Sequence, residues 1–195
     1  HTHTHTKTHT KTKNMLIYEC IVSNVEMISD AYPQEKIEGL PESLFAVRSK
    51  VVAKGDAAAG IDFGNAFGGG DEEADDTVEK VNNLVDSFNY SDGSAIFSDK
   101  KSLKLQFSKF MKAVMKEGKM KKKAKDAGEG SPEALAFEKF QKDGVEALNW
   151  LVRTFDGPEC SLNEATTMEG NPGIGYWHSS CTEAPIFLYW RPGLK

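Results

Sequence analysis

Five carboxylates crowd into six positions of this chain: Asp71, Glu72, Glu73, Asp75 and Asp76. Oxygen-rich clusters of that kind suit calcium, which takes roughly six to eight oxygen ligands. The spacing is not that of an EF-hand. Counting from Asp71, the position that needs glycine holds Asp76, and Asn82 stands where a closing glutamate belongs. The neighbouring glycines also make the segment costly to order around an ion. Weak calcium binding, at about millimolar to high micromolar level, is therefore the expectation. Its rival is a solvated acidic run, and no cofactor is required. Gly64, Gly68, Gly69 and Gly70 precede no Gly-Lys-Ser/Thr, so they are not a phosphate loop. Cys160 and Cys181, with His178 or Glu164, are the remaining candidates for chemistry. No catalytic motif surrounds them, and Glu159 beside Cys160 disfavours a thiolate. The expectation is a protein that is not an enzyme.

The second chemical feature is charge of the opposite sign. Asp99–Lys125 carries eleven lysines and two acids, whereas Gly55–Asp86 carries nine acids and one lysine. Eleven lysines on one face suit an acidic partner through salt-sensitive attraction. They would equally suit a solvated surface, or screening of the chain's own acidic run.

The elements that must carry these groups follow from periodicity. Leu103, Phe107, Phe110, Met111, Val114 and Met115 recur at three and four and predict a helix with the lysines opposite. Ser98 is its candidate N-cap. After Gly128-Glu129-Gly130, Ser131-Pro132-Glu133 opens a second helix, with apolar Phe137, Phe140, Leu148, Leu151, Val152 and Phe155. A short connection between them makes an antiparallel hairpin over about 99–156. Thr77–Phe88, with Val78, Val81, Leu84 and Val85 at mixed spacing, is ambiguous between strand and short helix. The Gly-rich acidic stretch, about 54–77, reads as a flexible loop. Gly173–Trp177 and Ile186–Trp190 read as aromatic strands bounded by Gly and Pro.

Residues 1–14, HTHTHTKTHTKTKN, contain no apolar side chain. All four residue types can be encoded by A and C alone, as in a CA repeat, so the segment reads as translated untranslated sequence. An engineered tag and a metal-binding tail are its rivals, and it is set aside from fold reasoning. The formal charge is −5; without Lys7, Lys11 and Lys13, 21 basic residues stand against 29 acidic ones, giving −8. So acidic a chain is a poor nucleic-acid binder. No apolar run approaches the roughly 20 residues of a membrane span. Three widely spaced cysteines fit a reducing, cytoplasmic setting better than a disulfide framework.

The stretch beginning Met15-Leu16-Ile17-Tyr18, followed by Glu26, Met27-Ile28 and Ser29-Asp30, resembles the opening of the translationally controlled tumour protein (TCTP) family. Phe63-Gly64-Asn65-Ala66 before the acidic run is similar to that family's first signature, departing from it at Phe67 and Gly69. Around Cys160–Asn163 the second signature is replaced, with only Glu164 and the later Gly173-Ile174 fitting; the closing run from Ala184 to Leu194 matches well. The resemblance implies a divergent member forming one domain over 15–195, whose C-terminus lies a few residues beyond Lys195. The implied fold is α+β: a small irregular β-sheet core of the β-tent kind, similar to a Rab-exchange zinc protein and to methionine sulfoxide reductases. A helical hairpin projects from it, and a long acidic loop is flexible. The implied function is a growth-regulating interaction protein. Glu26 and Asp30 would contact a Rheb-type small GTPase. Lys100, Lys101, Lys104, Lys109, Lys112, Lys116 and Lys119 would contact tubulin and microtubules. Calcium would be bound weakly by Asp71, Glu72, Glu73, Asp75 and Asp76. The protein would be a monomer or weak dimer. The alternatives are a calcium buffer without a GTPase role and, remotely, a methionine sulfoxide reductase-like enzyme.

Overall fold

Every residue of Ile186–Trp190 is buried, because this strand has neighbours on both edges and cover on both faces. The computed structural model describes residues 15–54, 79–92, 99–155, 159–163, 172–176 and 183–195. In chain order its strands are β1 (Ile17–Glu19), β2 (Glu26–Ser29), β3 (Gln34–Glu35), β4 (Leu44–Arg48), β5 (Val51–Ala53), β6 (Lys80–Asn82), β7 (Tyr90–Asp92), β8 (Glu159–Asn163), β9 (Gly173–Tyr176) and β10 (Ile186–Trp190). The helices are α1 (Asn83–Ser87), α2 (Lys100–Glu117), α3 (Met120–Ala127) and α4 (Pro132–Thr154). A sheet in the order β3-β4-β10-β9-β8-β7 forms the centre, and β1-β2 and β5-β6 are separate ribbons. β10 runs antiparallel to β4 from Ile186↔Arg48 to Trp190↔Leu44, and to β9 on its other edge.

Successive side chains of a strand point to opposite faces, and β10 uses both. Trp190 meets Phe107, Phe110 and Phe140 at centroid distances of 5.3, 5.8 and 5.3 Å, which docks α2 and α4 on the sheet. Gly144 makes the approach close. A Cβ there would lie 2.1 Å from Met111 Cε and 3.4 Å from Trp190 Cζ2. That packing accounts for a glycine in mid-helix, which otherwise costs about 1 kcal/mol against alanine.

On the alternate side, Tyr189 stacks with Phe45 and its hydroxyl lies 2.7 Å from that of Tyr90. The Tyr90 hydroxyl donates to the Met27 carbonyl in β2. Its single proton is thereby used, so Tyr189 is the donor between the two phenols. This relay ties the β1-β2 ribbon to the central sheet. Burial, the largest cause for each, pushes both phenols above the ordinary tyrosine value. A raised acid pKa in the folded state means that the folded chain holds its protons longer than the unfolded one. The stabilisation is complete below about pH 10 and is lost as pH rises past it. Tyr90→Phe should cost about 1–3 kcal/mol, because it strands the Met27 carbonyl and the Tyr189 hydroxyl. Urea melts of Tyr90→Phe/Tyr189→Phe at pH 8 and above pH 10 should show a flatter decline than the parent.

Three local expectations are revised. Of the ambiguous Thr77–Phe88, the described part is both strand and helix. β6 ends at Asn82, whose side chain accepts from the amides of Leu84 and Val85 and starts α1. The N-cap of α2 is Asp99 rather than Ser98, its Oδ1 accepting from Ser102 N at 2.7 Å. The hairpin has three helices, because α2 stops at Gly118 and Lys119 takes a left-handed φ of 49° before α3 begins. α3 has no buried residue, so the hairpin is anchored at its base and exposed at its tip.

Candidate functional site

Glu26 opens β2 and Asp30 follows its end; both are exposed. At about 3.3 Å per residue they lie roughly 13 Å apart, so they form two contact points and not one site. Asp30 also has a structural task. Its Oδ1 accepts from Leu16 N at 2.8 Å, while its own amide donates to Leu16 O at 2.9 Å, clamping the start of β1. Glu26 pairs in register with Glu19 across the ribbon. Like charges directly opposite destabilise a strand pair, and Lys195 offsets this. Its Nζ is 3.2 Å from Glu19 Oε2 and donates to Asn24 Oδ1 at 2.6 Å. Asn24 holds the turn between β1 and β2 with a left-handed φ of 58°. Glu19, Asn24 and Lys195 were not among the residues expected here. Asn24 carries a signal, since asparagine tolerates that conformation. Lys195 carries none, being far away in sequence. The arrangement presents carboxylates flanked by one ammonium, which suits salt-bridging to a basic partner surface. Among the described residues no group of three carboxylate, histidine or cysteine side chains could hold a metal ion.

The lysine surface is built by α2. At 100° per residue, Leu103, Phe107, Phe110 and Val114 fill one buried arc. Lys101, Lys109, Lys112 and Lys116 occupy the opposite one, exposed, and the stripe runs about 22 Å. Lys100 and Lys104 flank it, closer to the apolar edge, and both are exposed. Leu105, 54% exposed, sits within the stripe. The eleven lysines do not form one face. The break at Gly118-Lys119 redirects the chain, and α3 presents Lys121, Lys122, Lys123 and Lys125 separately. The Asp99 carboxyl at the head of α2 is held below its usual range by the Ser102 amide.

Asp71, Glu72, Glu73, Asp75 and Asp76 lie outside the described residues, as do Gly64, Gly68–Gly70, Glu164, His178 and Cys181. Of Cys160 only the backbone is described, in β8. Cys20 is fully buried, bridged through its backbone to Leu194.

A model of the family "Translationally controlled tumour protein" matches residues 15–195. A translationally-controlled tumor protein homolog of Neurospora crassa is 29% identical over 181 residues, covering 93% of this chain and 98% of its own length. A homolog of Gibberella zeae is 29% identical over 186 residues with the same coverage. Among solved structures, the translationally controlled tumor-associated protein p23fyp of Schizosaccharomyces pombe superposes with a TM-score of 0.57. It is 22% identical and covers 93% of this chain and 98% of that one. The α+β architecture expected from sequence is thus the one found. A sheet centred on the aromatic β10, an α2–α4 hairpin docked on Trp190 and a family match running from Met15 to Lys195 agree: the chain is a divergent member of the TCTP family.

Proposed function

We propose that this protein acts by binding rather than by chemistry, as a cytoplasmic regulator of growth with two separate contact surfaces. The α2 lysines take the acidic tails of tubulin, and the Glu26–Asp30 surface of the β1-β2 ribbon takes a Rheb-type small GTPase. The observation that carries the reading is the division of α2 itself: a buried apolar arc fixes the helix, and the lysine stripe opposite is held outward. Fixed charges cost less to bring to a partner than charges on a chain that must first be ordered. Weak calcium binding by Asp71–Asp76 belongs to the same reading, as does a monomer or weak dimer. Among the described residues no helix is long and apolar enough to cross a membrane.

The test is a pull-down from native cell extract with three baits: the parent chain, Glu26→Ala, and Lys101, Lys109, Lys112 and Lys116 all changed to Glu. Loss of the GTPase with Glu26→Ala only, and of tubulin with charge reversal only, is the expected result. Absence of both partners from the parent bait overturns it.

A further inference from the structure

Leu105 stands where the buried arc of α2 gives it no reason to be. At about 100° per residue it points about 200° away from Leu103, whereas Phe107, Phe110 and Val114 lie within about 40° of Leu103. Lys101, Lys112, Lys116 and Lys109 spread from about 160° to 240°, so the leucine lies on the midline of the stripe. It is no fringe of the core, and 54% of it is exposed. Its surroundings are symmetrical. Lys101 and Lys109 stand four residues before and after it, and the short side chains of Ser102 and Ser108 stand three before and after. The result is an apolar knob between two ammoniums, with only serines at its shoulders. Among the described residues no salt bridge engages either lysine. A lone exposed leucine is ordinary on a protein surface; what sets this one apart is its spacing from the charges.

Four residues of helix rise about 6 Å, so Lys101, Leu105 and Lys109 form a row with about 6 Å between neighbours. In an extended chain the side chains of residues i, i+2 and i+4 share a face, about 6.7 Å apart. An acidic run is held extended by its own repulsion. Laid along α2, such a run places an acid, an apolar residue and a second acid over Lys101, Leu105 and Lys109. The mismatch of roughly 0.7 Å per step lies within the reach of a lysine side chain. Resting on the assignment of α2 to acidic tails, we propose that the stripe selects acidic segments of the pattern acid-x-apolar-x-acid, with Leu105 as the residue that reads the apolar position. Ammoniums are point charges on flexible stems and hold no register by themselves; an apolar contact at one fixed point supplies it, as side-chain pockets do for other extended ligands. An anionic membrane is a poorer fit, because the apolar arc of α2 is already buried in the core and one leucine leaves little to insert.

The experiment uses the 195-residue chain and three blocked, fluorescent peptides of Glu and Ser. One carries Glu-Ser-Phe-Ser-Glu at its centre, one has the same composition with Phe moved next to a Glu, and one has Ser in place of Phe. By anisotropy the parent should bind the first about fivefold more tightly than the other two. Leu105→Gln keeps a good helix former at an exposed position and should bind all three alike; Leu105→Met should keep the preference. The ratio should persist from about 0.01 to 0.1 M salt while every affinity falls, because an apolar contact is not screened. Equal binding of the three peptides by the parent, lost when Lys101, Lys109, Lys112 and Lys116 are reversed to Glu, overturns the role of Leu105 and leaves the assignment of α2 standing. Binding that survives the reversal, or no binding at all, overturns both. A preference for Phe wherever it sits overturns the register, and Leu105-dependent capture of phosphatidylserine vesicles in place of the peptides overturns the choice of partner.

Discussion

Trp190→Ala is expected to destabilise the protein by about 3–5 kcal/mol, the range for removing a large aromatic from a packed core. Typical domains have only about 5–15 kcal/mol in total. Trp190 is 1% exposed at the end of β10, and three rings from two helices close on it: Phe107 and Phe110 of α2, Phe140 of α4. Alanine leaves all three without their central partner. The cavity cannot collapse easily, because β10 is held between β4 and β9 and cannot move toward the hairpin. The loss should also be uneven. Native-state hydrogen exchange should show protection falling first along Leu103–Val114 and Phe140–Leu151, whose packing runs through Trp190. The β1-β2 ribbon should follow later, because the Tyr90–Met27 bond, the Tyr18–Phe45 ring contact and the backbone bonds from Glu19 and Ile21 to Lys195 and Gly193 hold it without passing through the Trp190 ring. Trp190→Phe should retain more than half of the lost stability. A fall below 1 kcal/mol for Trp190→Ala by urea denaturation, followed by circular dichroism, would mean that the hairpin docks by other contacts.

The helices were the most legible part of the chain, and the reason is local. Ser131 caps α4 as expected, its Oγ accepting from Ala134 N at 3.2 Å, with Pro132 in the first turn. Leu103, Phe107, Phe110 and Val114 are buried as their spacing requires. Ser98 and Asp99 are adjacent and cap about equally well, so composition could not choose between them. The break before α3 was half visible. Gly118 is a helix breaker, but the left-handed residue is Lys119, a type that rarely adopts that conformation. Asn82 settled the ambiguous run by capping, a signal hidden because the next residue is also asparagine. β10 was legible as a strand from its aromatics, whereas its place between β4 and β9 was not, since those pairings join distant parts of the chain. The Glu26 surface was legible only in its acids. The turn at Asn24 and the ammonium of Lys195 complete it, and the latter arrives through the tertiary fold alone.

Reversing Lys101, Lys109, Lys112 and Lys116 to Glu should weaken binding to a Glu-rich tubulin-tail peptide by on the order of 100-fold at low salt, with no change in fold. Single exposed ion pairs contribute about 0.2–1 kcal/mol. Reversal replaces each attraction with a repulsion, so four sites together shift the free energy by roughly 3 kcal/mol. Salt should reveal whether the stripe acts as a unit. Its length of about 22 Å is shorter than the Debye length at 0.01 M, about 30 Å, and longer than that at 0.1 M, about 10 Å. The parent's affinity should therefore drop steeply across that interval, while the reversed variant stays weak throughout. Lys→Gln at the same four positions should fall between the two, and Lys→Arg should preserve binding. Stability should hardly move in any of them, because all four lysines are exposed and lie opposite the arc of Leu103, Phe107, Phe110 and Val114. Equal affinity for parent and reversed chain at 0.01 M salt, measured by fluorescence anisotropy, would remove α2 from the account of tubulin binding. In that case α3, with Lys121, Lys122, Lys123 and Lys125 beyond the break, would be the surface to reverse next.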